Sequence, residues 1–333
     1  MIETLLVGPD LYSFGGTQTV MRVMRDHSIG ADRVRVAATW NGPGHVDNAR
    51  LVALAAARLM AADRRTIAHF HISNGGAWLR EGVLIRVARA RRLRTVVSLH
   101  GYEFPEFARR RPGFVRRALD GVDHVICLSE EAEQAVRAVG RSGMVTVLPN
   151  PVSIDYSAPP AADTPPVVLF AGAICLRKGV DVLCRAWTEV LAAGVQGHCR
   201  IVGPIEDFSP PALDRMAVEG PVHPDLVSDL VRGARVVVLP SRAEGMPMIL
   251  TEALAAARPF VATPVGGVRS ITPDAEMLVP VDDPTALAER LALYLGDPQR
   301  AERAGRRGQQ YIIETRSPEV INQRLRAIYE GLR

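Results

Sequence analysis

The sequence predicts an α/β protein made of doubly wound parallel sheets. Three observations carry that prediction. Continuous apolar runs of strand length, suited to strands covered on both faces, alternate with segments of helix length. Those runs feed loops in which Gly, Pro, Ser or His precede the next helix, as at the carboxyl ends of strands in an open sheet. Six prolines between Pro149 and Pro166 then divide the 333 residues into two parts, each long enough for a domain of ordinary size.

The first part opens with a buried strand over Thr4–Gly8 and a helix that begins after Gly15-Gly16 and runs to about residue 27. Glycine at that point lets the backbone approach a ligand closely, or makes a turn of positive φ. Strands follow at Val34–Ala38, Ile67–Ile72 and Thr95–Leu99, with helices over 46–63 and 79–91 between them. His100-Gly101 follows directly at a carboxyl end, while His69 and His71 alternate on the preceding strand with their direction open. A strand over Val122–Leu128 leads to Ser129, a helix cap ahead of Glu130 and Glu131, which suit the amino end of the dipole. Val145–Leu148 is the last strand of this part.

The second part begins with a strand at Val167, a helix to about Ala192 and a strand over Cys199–Val202. Val236–Leu239 is a strand ended by Pro240-Ser241. The helix after it spans Met248–Ala257, with Pro247 in its first turn and Arg258-Pro259 closing it. A further strand precedes Thr263. Asp283 caps a helix starting at Pro284, so Asp282-Asp283 reads as capping and not as a metal site. A periodic helix over Pro318–Leu332 ends the chain. The predicted organisation is a Rossmann-like domain over 1–155, a linker over 156–166, a second Rossmann-like domain over 167–314, and a C-terminal helical segment over 315–333.

Apolar residues make up 47% and charged residues 23%, the balance of a globular protein. Nothing resembles a signal peptide, no apolar stretch approaches the roughly 20 residues that span a bilayer, and the four cysteines have no C-x-x-C spacing. The cysteines therefore read as buried thiols and the protein as cytoplasmic. Residues 1–155 hold 21 Arg against 15 Asp and Glu, and 11 of those arginines lie between Arg80 and Arg117 beside 3 Glu. Solvated helix faces account for such a patch, as do an anionic acceptor or a peripheral contact with an anionic inner membrane face. Nucleic acid is not expected, because neither a recognition motif nor an aromatic stacking array accompanies the charge. Arginine outnumbers lysine 39 to one, and the single lysine is Lys178. A lone lysine in such a chain points to a site that uses a compact ammonium on a flexible stem.

The stretch from Val236 to Ala257 reads as strand, loop and helix, a place where backbone N–H groups and the helix dipole favour a phosphate. It carries Glu244 and Glu252, eight positions apart, about 12 Å if helical throughout. That separation suits the two ends of a nucleotide sugar, and equally two solvated acids on a surface helix.

Glu244-Gly-Met-Pro-Met-Ile-Leu-Thr-Glu-Ala-Leu-Ala, preceded by Pro240-Ser241, resembles the signature of the retaining GT-B glycosyltransferases, group 1 or family 4. Their pattern is Pro-Ser, a short spacer, Glu-Gly-x-Pro, four residues, then Glu-Ala-x-Ala. The resemblance extends over nearly the whole chain through Gly15-Gly16, His100-Gly101, Pro149-Asn150 and Arg177-Lys178-Gly179. It implies two Rossmann-like domains facing a central cleft, with the C-terminal helix returning toward the first. It also implies a metal-independent hexosyltransferase that uses a nucleotide-diphosphate sugar as donor substrate, a hydroxyl-bearing acceptor and no cofactor. By the same resemblance Glu244, Lys178 and His100 are catalytic, and Gly15, Gly16, Arg177, Gly245, Met246, Pro247, Met248 and Glu252 bind the donor. Two positions depart from the family: Ala173 stands where an arginine clasps the diphosphate, with Arg177 a neighbouring substitute, and Ser270 stands where a glutamate follows Gly-Gly. Those departures keep two other readings open, a nucleotide-sugar-binding partner subunit without turnover, and an epimerase or phosphorylase on the same fold.

Overall fold

The computed structural model describes residues 2–332 apart from 14, 28–31, 43–44, 74, 141–142 and 273. Its contacts divide the chain into two units, Met1–Pro151 with Pro318–Arg333, and Val152–Ser317.

In the first unit the elements run β1 (Glu3–Pro9), α1 (Gly16–Asp26), β2 (Arg33–Trp40), α2 (His45–Ala61), β3 (Ile67–Ile72), α3 (Ala77–Ala90) and β4 (Arg94–Leu99). They continue as α4 (Phe104–Arg110), α5 (Pro112–Leu119), β5 (His124–Cys127), α6 (Glu130–Ala138) and β6 (Met144–Val147). The sheet is six-stranded in the order β2-β1-β3-β4-β5-β6, parallel throughout. Every residue of β3 and β5 is buried, as a strand with helices on both faces requires. The reversal of strand order beside β1 puts the carboxyl ends of β1, β3 and β4 together.

The second unit runs β7 (Val167–Ala171), α7 (Val180–Ala192), β8 (His198–Val202), β9 (Met216–Glu219), α8 (Pro224–Gly233) and β10 (Val236–Leu239). It ends with α9 (Met248–Ala255), β11 (Phe260–Ala262), α10 (Pro284–Gly296) and α11 (Pro298–Arg316). Its parallel sheet has the order β11-β10-β7-β8-β9. The last helix, α12 (Pro318–Glu330), packs in the first unit. Tyr329 bonds His69 at 2.6 Å, Asn322 donates to the His27 carbonyl at 2.5 Å, and Arg326 pairs with Asp32 at 3.2 Å.

Residues 152–166, the proline-rich stretch, lie against the second unit. Asp155 pairs with Arg232 at 2.5 Å, and the Arg258 guanidinium, fully buried, donates to the Pro159 carbonyl at 2.6 Å. Glu302 accepts from the Ala161 backbone N–H.

The strands fall where the apolar runs place them, with ends shifted by a residue or two, and β5 is three residues shorter than expected. Ser129 and Asp283 cap α6 and α10 as their sequences imply, accepting from Ala132 and Ala286 at 3.2 and 2.9 Å. Pro247 is corrected to the N-cap of α9, in extended geometry, and the helix stops at Ala255. Five elements escape the sequence reading. Helices α4 and α5 are short, arginine-rich and started by Pro105 and Pro112. Strand β9 is an edge strand of four residues, too short for its apolar residues to stand out. Helices α8 and α11 begin at Pro224 and Pro298; α8 is amphipathic but only ten residues long, and α11 has few large apolar residues. Among the described residues no helix is long and apolar enough to cross a membrane.

One buried acid has a thermodynamic consequence. Glu81 of α3 has no exposed surface, accepts from Thr39 at 2.5 Å, and its other oxygen has no partner among the described residues. Burial pushes its carboxyl up from 4.5 to about 7. Between those values the folded chain binds more protons than the unfolded chain, so this residue lowers stability as pH rises from 4.5 to 7, after which its effect is constant. Glu81→Gln is therefore expected to gain about 2–3 kcal/mol on the wild type between pH 5 and pH 8. Urea unfolding of both proteins at the two pH values measures it, and an unchanged difference would sink the assignment.

Candidate active site

The second unit's site begins with the turn after β7. Leu176–Lys178 forms one 3₁₀ turn, and Gly179 closes it in the left-handed region at φ 70°, ψ 26° before α7 starts. A Cβ on Gly179 would collide with the carbonyl oxygen of Pro240, so glycine is needed both for its dihedrals and for this contact. The turn therefore lies directly on the loop that follows β10. Across the contact, Lys178 Nζ donates to Glu244 Oε1 at 2.6 Å, with side chains 16% and 7% exposed. Ser241 Oγ donates to the same oxygen at 2.7 Å. Arg177 Nη1 lies 3.9 Å from it and donates to the Ala243 carbonyl at 3.1 Å. A carboxylate this buried needs such donors, since an uncompensated charge away from water costs several kcal/mol.

Arg242 braces the two loops. Its backbone N–H donates to the Arg177 carbonyl at 2.8 Å. Its guanidinium donates to both Asp181 oxygens at 2.7 and 2.8 Å and reaches Asp282 at 2.6 Å. That fork holds the Asp181 carboxyl below its usual range, the Arg242 hydrogen bonds being the larger cause.

The loop after Glu244 rests on the two glycines that follow β11. Gly266 sits at φ 53°, where a Cβ would collide with the Glu244 carbonyl oxygen, and Gly267 N–H donates to the Gly245 carbonyl at 2.7 Å. Met246, Pro247 and Met248 are buried beneath this contact, and Glu252 is half-buried on the fifth residue of α9. Ser270 has a definite place here. Its hydroxyl donates to the Gly267 carbonyl at 2.7 Å and accepts from Arg316 Nη2 at 3.0 Å. Arg316 Nη1 in turn lies 3.0 Å from Met246 Sδ. Desolvation pushes the Arg316 guanidinium down to about 10. Nothing in the local sequence marks Arg316, which arrives from the end of α11. Ser241 was visible in the Pro-Ser pair, but its bond to Glu244 was not.

In the first unit, Gly15 is the N-cap of α1 at φ 142° and Gly16 its first residue. The first turn of α1 carries no acidic side chain, and the Gln18 side chain lies against Gly15. His100 follows β4, and its backbone N–H donates to the Ile72 carbonyl at 2.7 Å. Its Nε2 lies 2.9 Å from His71 Nδ1. His69 and His71 point the same way, as residues two apart on a strand do, with rings stacked at 4.5 Å. His69 is held between Tyr329 at 2.6 Å and Ser98 at 2.8 Å. Burial drives His69 down to about 3 and His100 to about 4, and takes His71 well below 6.5.

Lys178, Arg177 and Glu244 are thus brought together, with Gly245, Met246, Pro247, Met248 and Glu252 continuing the same loop and helix. Gly15, Gly16 and His100 stand at strand carboxyl ends of the other unit. Among the described residues no group of three or more His, Cys, Asp or Glu side chains is placed to hold a metal ion.

The family model for glycosyl transferases group 1 matches residues 165–297, and that for Glycosyltransferase Family 4 matches residues 15–156. Among curated proteins, a D-inositol 3-phosphate glycosyltransferase of Xylanimonas cellulosilytica is 33% identical over 202 residues, 52% of this chain and 48% of that protein. The alpha-D-kanosaminyltransferase of Streptomyces kanamyceticus is 28% identical over 153 residues, 42% of this chain and 39% of that protein. The matches thus span about half or less of these relatives' lengths. Among solved structures, the sucrose-phosphate synthase of Thermosynechococcus elongatus has a TM-score of 0.77 at 20% identity, covering 100% of this chain and 99% of its own. The Anabaena HepE protein, solved in complex with UDP, has a TM-score of 0.70 at 16% identity, covering 99% and 100%. These structures share the two-sheet fold, and the two family models between them account for both halves of the sequence: the chain belongs to the group 1/family 4 glycosyltransferases of GT-B architecture.

Proposed function

We propose that the protein transfers a hexosyl group from a nucleotide-diphosphate sugar to a hydroxyl acceptor with retention of configuration and without a metal ion. The observation that supports it most directly is the Lys178–Glu244 pair at the carboxyl ends of β7 and β10, beside the amino end of α9. On this reading Lys178 and Arg177 meet the donor diphosphate, and the ammonium exchanges part of its contact with Glu244 for phosphate oxygens. Glu244 accepts from the sugar hydroxyls and Glu252 from the ribose. The backbone N–H groups of Met246 and Met248 bind sugar and phosphate at the helix start, with Gly245 and Pro247 shaping the loop. Gly15, Gly16 and His100 supply further donor contacts. The bond between the anomeric carbon and the β-phosphate oxygen breaks, and the acceptor oxygen bonds to that carbon from the same face. The acceptor's proton passes to the departing phosphate oxygen, so no side-chain base is required. Helix amino ends and Lys178 stabilise the charge that develops on the diphosphate.

The acceptor side of the proposal is an anionic compound or membrane surface at the Arg80–Arg117 region. On α3, Leu79 and Val83 are 64% and 55% exposed, and Phe114 of α5 is also exposed beside the arginines of α4 and α5. Exposed apolar side chains on arginine-rich helices suit the interface of an anionic lipid layer.

Two outcomes are expected. With EDTA present, one donor in a panel of uridine, guanosine and other nucleotide sugars should release its nucleotide. Glu244→Gln and Lys178→Ala should each lower that turnover at least about tenfold. Wild-type rates in either variant would remove that residue from the site, and tight donor binding without release across acceptors would favour a non-catalytic partner subunit. Sedimentation with anionic vesicles at low salt should carry the protein down and fail at high salt. If the protein stays in solution at low salt, the membrane contact is wrong.

A further inference from the structure

Beside His100 the first unit holds a second histidine, His71, that the family signature does not explain. His71 of β3 is buried, and its Nδ1 lies 2.9 Å from His100 Nε2. The two rings are within 19° of parallel with centroids 5.1 Å apart, the spacing of rings that meet edge to edge in one plane. Two imidazole nitrogens at this distance share one proton, which one ring donates and the other accepts. The other nitrogen of His71, Nε2, is buried and has no partner among the described residues.

We infer that His71 is a positioning residue that donates from Nδ1 and thereby holds His100 in the Nδ1–H tautomer, so that His100 meets a bound substrate only as a hydrogen-bond donor. Two proton placements are possible for neutral rings. If His100 donated from Nε2, His71 would carry its own proton on Nε2, a buried N–H with no acceptor. If His71 donates from Nδ1, its Nε2 is a bare lone pair, His100 Nε2 is occupied as acceptor, and the His100 proton sits on Nδ1. Buried donors without acceptors are the rarer and more costly case, so the second placement wins. Both rings are neutral, because burial and the neighbouring imidazoles oppose protonation of His71, and burial alone lowers His100.

The surroundings keep the His71 ring where it is. His69 stacks on one side of it, and its own nitrogens are already engaged by Tyr329 and Ser98. On the adjacent strand Gly8 leaves room where a Cβ would come within 3.1 Å of the His71 Cβ. The backbone bond from His100 to Ile72 fixes the other ring's root. With Nε2 occupied, His100 cannot take a proton from an acceptor hydroxyl. It offers one N–H to an oxygen lone pair of the substrate. That last step rests on the transferase reading above; the tautomer does not.

Long-range proton–nitrogen correlation spectra of the full chain labelled with nitrogen-15 histidine, with His100→Gln for assignment, read the tautomer directly. The expected result at neutral pH is His100 protonated at Nδ1 in the wild type, shifted to Nε2 in His71→Phe and restored in His71→Asn, whose amide reproduces the donor. His71→Phe should lower kcat/KM about tenfold and His71→Asn should recover most of it. A wild-type His100 protonated at Nε2, or a tautomer indifferent to His71→Phe, overturns the proposal. The wild-type spectrum decides even if His71→Phe does not fold. A His100 protonated at Nδ1 in a protein without turnover would uphold this relay while refuting the transferase reading.

Discussion

The contact between the Gly179 backbone and the Pro240 carbonyl oxygen sets the geometry of the second unit's site. It is a matter of excluded volume. Only a residue without Cβ lets the turn after β7 lie on the loop after β10, and only glycine adopts φ 70° there without strain. Once the two backbones touch, Lys178 and Glu244 are in reach of one another and Arg242 can span from one loop to Asp181 and Asp282. A second backbone contact of the same kind, Gly266 on Glu244, fixes the loop from the other side. The charged groups are therefore held by close-packed main chain, which carries little conformational freedom, and the ion pairs refine a placement already made.

Cations in this chain divide by task. Arg235, Arg258 and Arg316 are buried, and the bonds they make run chiefly to carbonyl oxygens. Arg235 reaches Thr164 and Leu295, Arg258 reaches Pro159 and Arg232, and Arg316 reaches Ser270. Desolvation lowers the affinity of all three for their protons, yet guanidinium stays charged and its planar fork can tie several carbonyls at once. Lysine offers no such fork. Its one appearance, Lys178, is on a flexible stem against a carboxylate, where a compact charge can change partners.

In the first unit a group of polar side chains gathers toward the carboxyl ends of β3 and β4, among the apolar residues of those strands. His69, His71 and His100 form a row in which one end is closed by Ser98 and Tyr329 and the other reaches the strand terminus. Burial keeps the row neutral, and a neutral imidazole holds a definite proton arrangement once a neighbour fixes the role of one of its nitrogens. Tyr329 comes from α12, so the last helix of the chain completes the polar row of the unit in which the chain began.

Sequence alone determined the α/β class, most strands and the Glu244-to-Glu252 signature, because apolar runs, helix caps and proline positions are local properties that survive without a partner. Ser129, Asp283 and the run Val236–Leu239 are read from neighbouring residues, and the structure places them as read. What is not local stayed hidden. The exposed edge strand β9 and the arginine-rich α4 and α5, of four, seven and eight residues, are too short for a period to stand out. Ser270 departs from the family pattern, and the arginine that binds it, Arg316, lies 46 positions later. The direction of His69 and His71 on β3, and the bond from His71 to His100, required the pairing of β3 with β4. Tertiary structure decided these points, since they depend on which distant atoms share a small volume. Residue order does not contain that until the chain is packed.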